Sequence, residues 1–284
     1  MSEHSEVHLP NKANAAIAMT FTPAEPPAEN GRHNDLFVVF LNGLVLPRAS
    51  WFDAIRHLTE TRKETGLATP AMLCYDRFGQ GDSDPDPMDP PDTPYGHDAL
   101  SIVEDLHQLL MCVSKTRLGR DIATLRLVLV GNSIGCALAR LYAAAHPDSA
   151  VGFLFLDSMI ANSDFVSLFP DPDSRNFDPS DLPADVTPAD LRHARAMVGK
   201  YFHPTVGNPE HFDRRGLASL LPRADTPALP GVTPRLVVIG HDPQVFAESC
   251  ETVSFPPWHG FNLRNTGGIP CCSKGCPSAL LIVN

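Results

Sequence analysis

The chain has 284 residues, 43% of them hydrophobic and 19% charged, which is enough apolar material for one large core and too much for a disordered polymer. A formal net charge of -11 at pH 7 leaves no basic stripe for a phosphate backbone and argues against nucleic acid or an anionic membrane as a partner. The opening residues are polar and acidic and precede no long apolar run, so neither a secretory signal nor a membrane anchor is predicted and the expected compartment is the cytoplasm.

Residues 1–34, rich in Ala, Pro and Glu, read as a loose N-terminal segment with room for one short strand. The texture changes at Leu36. Leu36 to Leu41 is a continuous apolar run ended by Asn42-Gly43, as expected of a strand buried on both faces of a parallel sheet. Ala71 to Tyr75, Leu125 to Val130, Val151 to Leu156 and Leu236 to Ile239 repeat the pattern. Asp82 to Pro94, dense in Asp and Pro, reads as a surface loop whose charges are solvated. From Asp98 to Val113 the residues Leu100, Val103, Leu106, Leu110 and Val113 recur at three- and four-residue steps and predict a helix. Strands alternating with helices imply an α/β fold, a mostly parallel central sheet with helices on both faces.

That rhythm breaks over 159–229, a Pro- and Asp-rich stretch with one clear helix in which Thr187 caps, Pro188 starts and Asp190 favours the N-terminus. It is expected to form a cap inserted between two pieces of core, 35–158 and 230–250. Seven cysteines are too sparse for a disulfide scaffold. Cys74, Cys112 and Cys136 fall within core elements and are expected as buried thiols. Cys271, Cys272 and Cys276 cluster without a nearby histidine or a zinc spacing, so no metal is expected there.

The chemistry is carried by Gly131-Asn132-Ser133-Ile134-Gly135, which follows the run Leu125 to Val130 and opens the Ala- and Leu-rich stretch Cys136 to Ala145. In that strand-to-helix context the pentapeptide reads as a nucleophile elbow. Ser133 is lifted on a strained turn, and the flanking glycines leave room where a side chain would collide. The Ile134 amide, in the first turn of the helix, is the first expected oxyanion donor. The second is expected from the loop after Leu36 to Leu41, with Leu44 the candidate and Gly43 allowing close approach. A phosphate-binding loop would need a Lys-Ser or Lys-Thr pair directly after its glycine, and none follows Gly135.

Three segments, the Asn42-Gly43 loop, the turn Tyr75-Asp76-Arg77-Phe78-Gly79-Gln80-Gly81-Asp82-Ser83 and the elbow, resemble the α/β-hydrolase superfamily of the cap-bearing, serine-nucleophile type over about Leu36 to Cys250. Asn42 stands where many members carry histidine. The resemblance implies that Asp76, Arg77 and the two glycines brace the site without reacting. It implies an acid after a late strand, and Asp242 in Gly240-His241-Asp242 holds that position, with Asp157 after Val151 to Leu156 as the rival. The acid would orient the histidine that takes the serine proton.

The resemblance departs from the family pattern after Asp242. The family continues with a helix, a further strand and a loop histidine, whereas 251–284 reads as an atypical, replaced tail with Ala279 to Val283 as a short strand or frayed end. The histidine that follows Asp242, His259, reads better as a tail residue than as the base. His97, His107, His146, His193 and His203 precede the acid. Loss of the base costs on the order of a millionfold in turnover in a comparable triad. Two readings therefore stand. One is a hydrolase acting on a small ester, amide or related substrate through Ser133, without metal or organic cofactor. The other is a binding protein of the same architecture that lacks the base. Oligomeric state is not legible.

Overall fold

The computed structural model describes residues 2–26, 35–158, 166–167, 169–182, 186–221, 235–240 and 280–283. Among the described residues eight strands form one sheet, β1 Glu3–Leu9, β2 Lys12–Thr22, β3 Leu36–Leu41, β4 Ala71–Tyr75, β5 Arg126–Asn132, β6 Ala150–Leu156, β7 Arg235–Ile239 and β8 Leu280–Val283, in the order β1-β2-β4-β3-β5-β6-β7-β8. The five central strands β4, β3, β5, β6 and β7 run parallel, while β1, β2 and β8 pair antiparallel at the two sides.

The continuous apolar runs are explained by what covers each face. With side chains alternating along a strand, Phe37, Val39 and Leu41 of β3 and Leu127 and Leu129 of β5 join Leu106 and Leu110 of α2 Ala99–Val113 and Leu138 and Tyr142 of α3 Ile134–Ala145. Val38 and Phe40 point to the other face, where Trp51 and Ile55 of α1 Phe52–Glu64 and the turn before it meet Met72 and Val130. Helices on both faces of a mostly parallel sheet are the architecture expected from the strand rhythm.

Four local expectations are corrected. Residues up to 34 are not a loose segment throughout, because Glu3–Leu9 and Lys12–Thr22 form a hairpin on the sheet through the two-residue turn Pro10-Asn11. Its inward positions Ala15, Ile17, Met19 and Phe21 are buried, but interleaved alanines mute the alternation in sequence. In α2, Leu100 is 50% exposed while Ile102 and Leu109 are buried. At 3.6 residues per turn Leu100 stands about 120° round the axis from Leu106, outside the buried arc. Cys74 and Cys136 are buried, whereas Cys112 is only half-buried. Asp86, within the stretch read as solvated, is 4% exposed.

The helix expected within 159–229 is α4 Pro188–Phe202, and its start has the expected chemistry. Thr187 Oγ1 accepts from the Asp190 amide at 3.2 Å, and Asp190 accepts from the Thr187 amide at 2.9 Å. Leu191 and Val198 pack with Phe169 in a cluster of their own, while Phe212, Leu217 and Leu221 join the core of the sheet.

Where α2 meets the end of α3, the rings of His107 and His146 stack with centroids 3.8 Å apart and planes 10° apart, and His107 Nδ1 lies 3.1 Å from the Tyr142 hydroxyl. Burial, and then the facing His107, hold the His146 imidazole below its ordinary 6.5 against the opposite pull of Glu104. A depressed folded-state value means that the stabilising contribution of the neutral ring is complete above 6.5 and is lost as pH falls through the folded value. Urea midpoints measured from about pH 7 down to about pH 5 should therefore fall less steeply for His146→Gln than for the parent chain. Equal slopes would remove His146 from the acid response.

Candidate active site

β5 runs into Ser133, and α3 starts at the next residue. Ser133 is half-buried and has φ 51° and ψ -118°, outside the regions that side chains favour. Strain of that kind costs about 1–3 kcal/mol and survives only where neighbouring structure dictates it. Here the Ser133 amide donates to Leu156 O at 3.0 Å, the Cys136 amide donates to Ser133 O at 3.1 Å, and Asn132 Nδ2 donates to Leu156 O at 3.3 Å. The bend is thus tied to the carboxyl end of β6.

Both flanking glycines are required sterically. A Cβ on Gly131 would stand 2.7 Å from the Cys136 nitrogen, and one on Gly135 would stand 2.3 Å from Leu41 O. The Ile134 amide opens the helix, where no preceding carbonyl of the helix can accept from it, so it is available to an anion at the positive end of the dipole.

The loop after β3 lies against the elbow. A Cβ on Gly43 would meet Asn132 Oδ1 at 2.7 Å. Asn42, 2% exposed, is a structural pin: its Nδ2 donates to Tyr75 O and to Gln80 Oε1, both at 2.8 Å, and its Oδ1 accepts from Trp51 Nε1 at 2.7 Å. Leu44 is half-buried against the core, and Val45 follows with φ 53°.

The turn after β4 braces this loop. Arg77 donates to Asn42 O at 2.8 Å and Gly43 O at 2.9 Å, and Gln80 Nε2 donates to Gly43 O at 3.1 Å. Asp76 accepts from the Arg48 side chain and from the Asp82 amide. Gly81 is needed because its Cβ would overlap the Asp76 carboxylate at 2.3 Å. Opposite Arg77 stands Glu210, 1% exposed, which forms an ion pair of 2.8 Å with it. Glu210 escaped sequence reasoning because it lies 133 residues from Arg77 in a segment with no motif.

A second buried charge cluster joins the hairpin to the same turn. Lys12 Nζ lies 2.5 Å from Asp86 Oδ2 and 2.7 Å from Asp105 Oδ2, and all three side chains are at most 9% exposed. Burial pulls the ammonium's pKa down, but hydrogen bonds to Asp105 and Asp86 outweigh it and the net shift is upward. Asp105 is pushed up by burial despite Lys12, as expected where one ammonium serves two carboxylates. Asp86, Asp89 and His97 bring ligand atoms within 4.8 Å of one another. The Lys12 ammonium on the Asp86 oxygen already supplies the cation, so a metal there would face a like charge. A small cavity lined by Ile17, Tyr75, Phe78, His97, Ile102 and Asp105 adjoins this cluster and includes no residue of the elbow.

The remaining expected groups are only partly described. Asp157, at the end of β6, is exposed, has φ 51° and donates its amide to Ile239 O at 2.8 Å. Asp242, His241 and His259 lie outside the described residues, as do Cys271, Cys272 and Cys276. Among the described residues no histidine bonds to Ser133. His97 faces Asp89, His107 bonds Tyr142, and His203 bonds Thr205. Burial pushes the Cys136 thiol up to about 12, so the thiol three residues after Ser133 stays protonated. No helix among the described residues is long and apolar enough to cross a membrane.

No curated protein sequence matches the chain. Among solved structures it is similar to a haloalkane dehalogenase loop variant from Bradyrhizobium elkanii, at 21% identity over 73% of this chain and 53% of that one with a TM-score of 0.44. It is also similar to an epoxide hydrolase from Vigna radiata, at 18% identity over 70% and 46% with a TM-score of 0.39. An α/β hydrolase from a Medee basin deep-sea metagenome library matches at 22% identity over 57% and 47%, with a TM-score of 0.39. The chain spans about half the length of these structures. The model of the alpha/beta hydrolase family matches residues 38–267, from β3 through the elbow, α4 and β7. With most of its length so matched, the chain belongs to the alpha/beta hydrolase family.

Proposed function

We propose that the chain is a serine hydrolase of small esters, amides or related substrates. The observation that carries this reading is the backbone of Ser133, held at φ 51° and ψ -118° between a parallel strand and a helix. In this reading Ser133 Oγ attacks the substrate carbonyl while a histidine takes its proton, and the tetrahedral oxygen is held by the Ile134 and Leu44 amides. Collapse expels the alcohol or amine, which receives that proton, and water then releases the acyl group from Ser133. Asp242 is the acid that orients the histidine, with Asp157 in reserve. The stretch 159–229 covers the site as a cap, a reading supported by the separate Phe169, Leu191 and Val198 cluster.

A fluorophosphonate probe tests the proposal, since it phosphonylates only a serine activated by a base. Labelling of the parent chain that disappears in Ser133→Ala, with unchanged circular dichroism, is the expected result. A folded parent chain that stays unlabelled would sink the enzyme reading and leave a binding protein of the same architecture.

A further inference from the structure

We propose that Glu210 is the positioning residue that sets the oxyanion loop, fixing the direction of the Leu44 amide from the far side of the Arg77 guanidinium; this deepens the hydrolase reading and rests on it. The argument runs through one peptide plane. Gly43 O accepts from both Arg77 Nη2 and Gln80 Nε2. The peptide is trans, so the Leu44 N–H of the same plane points the opposite way, out of the brace.

Arg77 and Gln80 are in turn held by Glu210. Its carboxylate accepts from Arg77 Nε at 3.1 Å and Nη2 at 2.8 Å, and from Gln80 Nε2 at 3.0 Å. The same carboxylate accepts from the Val45 amide. Val45 is β-branched yet adopts φ 53°, a conformation that persists only where its surroundings dictate it. One buried carboxylate therefore grips the residue after Leu44 directly and the residue before it through two side chains.

Glu210 is itself delivered by the segment after α4, which docks on the loop before α2. The Gly96 amide donates to His211 O at 2.7 Å, the Asp213 amide donates to His97 O at 2.8 Å, and His97 stacks on Phe212. The inserted stretch thereby contributes to the site through a residue that need not touch substrate.

The test compares the full chain with Glu210→Gln, and with Glu210→Asp, which keeps the charge facing Arg77 but withdraws it by one methylene from Val45. Two quantities are read: fluorophosphonate inactivation of Ser133, split into KI and kinact, and hydrogen exchange of the peptide spanning 42–46. In folded variants kinact should fall roughly 10- to 100-fold at constant KI, and exchange in 42–46 should accelerate while α3 is unchanged. Exchange in 42–46 equal to the parent in both variants overturns the proposal, whatever happens to labelling. Faster exchange with an unaltered kinact overturns it too. If the parent chain is never labelled, the hydrolase reading fails, and the exchange comparison alone still decides whether Glu210 holds the loop.

Discussion

Gly135→Ala should destabilise the chain by about 3 kcal/mol and abolish any reactivity of Ser133. The added Cβ would lie 2.3 Å from Leu41 O and 2.9 Å from Asn42 O. Both obstacles are backbone, and no rotamer change removes them. Relief requires α3 to shift from the end of β3, which moves the Ile134 amide and the strained serine together. Gly152→Ala is the matching control: its Cβ would find Arg235 O at 3.5 Å and Val128 methyls beyond, ordinary contact that leaves stability within about 1 kcal/mol and on the favourable side. Thermal melts of the two variants, with probe labelling of the first, check this. A Gly135→Ala protein that melts with the parent and still labels would show that the elbow is not the packed turn described above.

Lys12→Met should cost about 3–5 kcal/mol, the penalty for leaving buried charge without its partner. Asp86 and Asp105 share that one ammonium at 2.5 and 2.7 Å, and methionine keeps the volume while removing the charge. Asp105, already pushed up by burial in the parent chain, should hold its proton more tightly folded than unfolded once the ammonium is gone. Its unfavourable contribution then shrinks as pH falls through the raised folded value. The deficit against the parent chain should thus narrow between about pH 8 and about pH 5 in urea titrations. Adding Asp86→Asn and Asp105→Asn to Lys12→Met should recover part of the loss. A single variant within about 1 kcal/mol of the parent would mean that the cluster is solvated rather than buried.

Much of the architecture was legible because hydrophobic pattern reports burial directly. β3, β4, β5 and β6 each lie within two residues of an apolar run, and α4 starts directly after the threonine whose cap chemistry announces it. The elbow was legible for a different reason: a bend between strand and helix this tight admits only glycine at its flanks, so its signature sits in five consecutive residues, although the backbone that excludes a side chain at Gly135 is that of Leu41 and Asn42. Where the pattern misled, small or charged residues carried the structure. The alanines of β2 obscured its buried face, and the aspartates of the loop after β4 looked solvated until a lysine 74 residues away met Asp86.

The amino-acid order alone determined a mostly parallel α/β sheet and the position of the turn at Ser133, since the apolar runs, the turn signals and the glycine-flanked serine between strand and helix are each written in short stretches of the chain. Tertiary structure alone decided that Lys12 neutralises two buried aspartates and that Glu210 closes on Arg77 and Val45. Charge pairing acts through space over a few ångströms, and no periodicity along a chain records which distant partner a fold will bring within that reach.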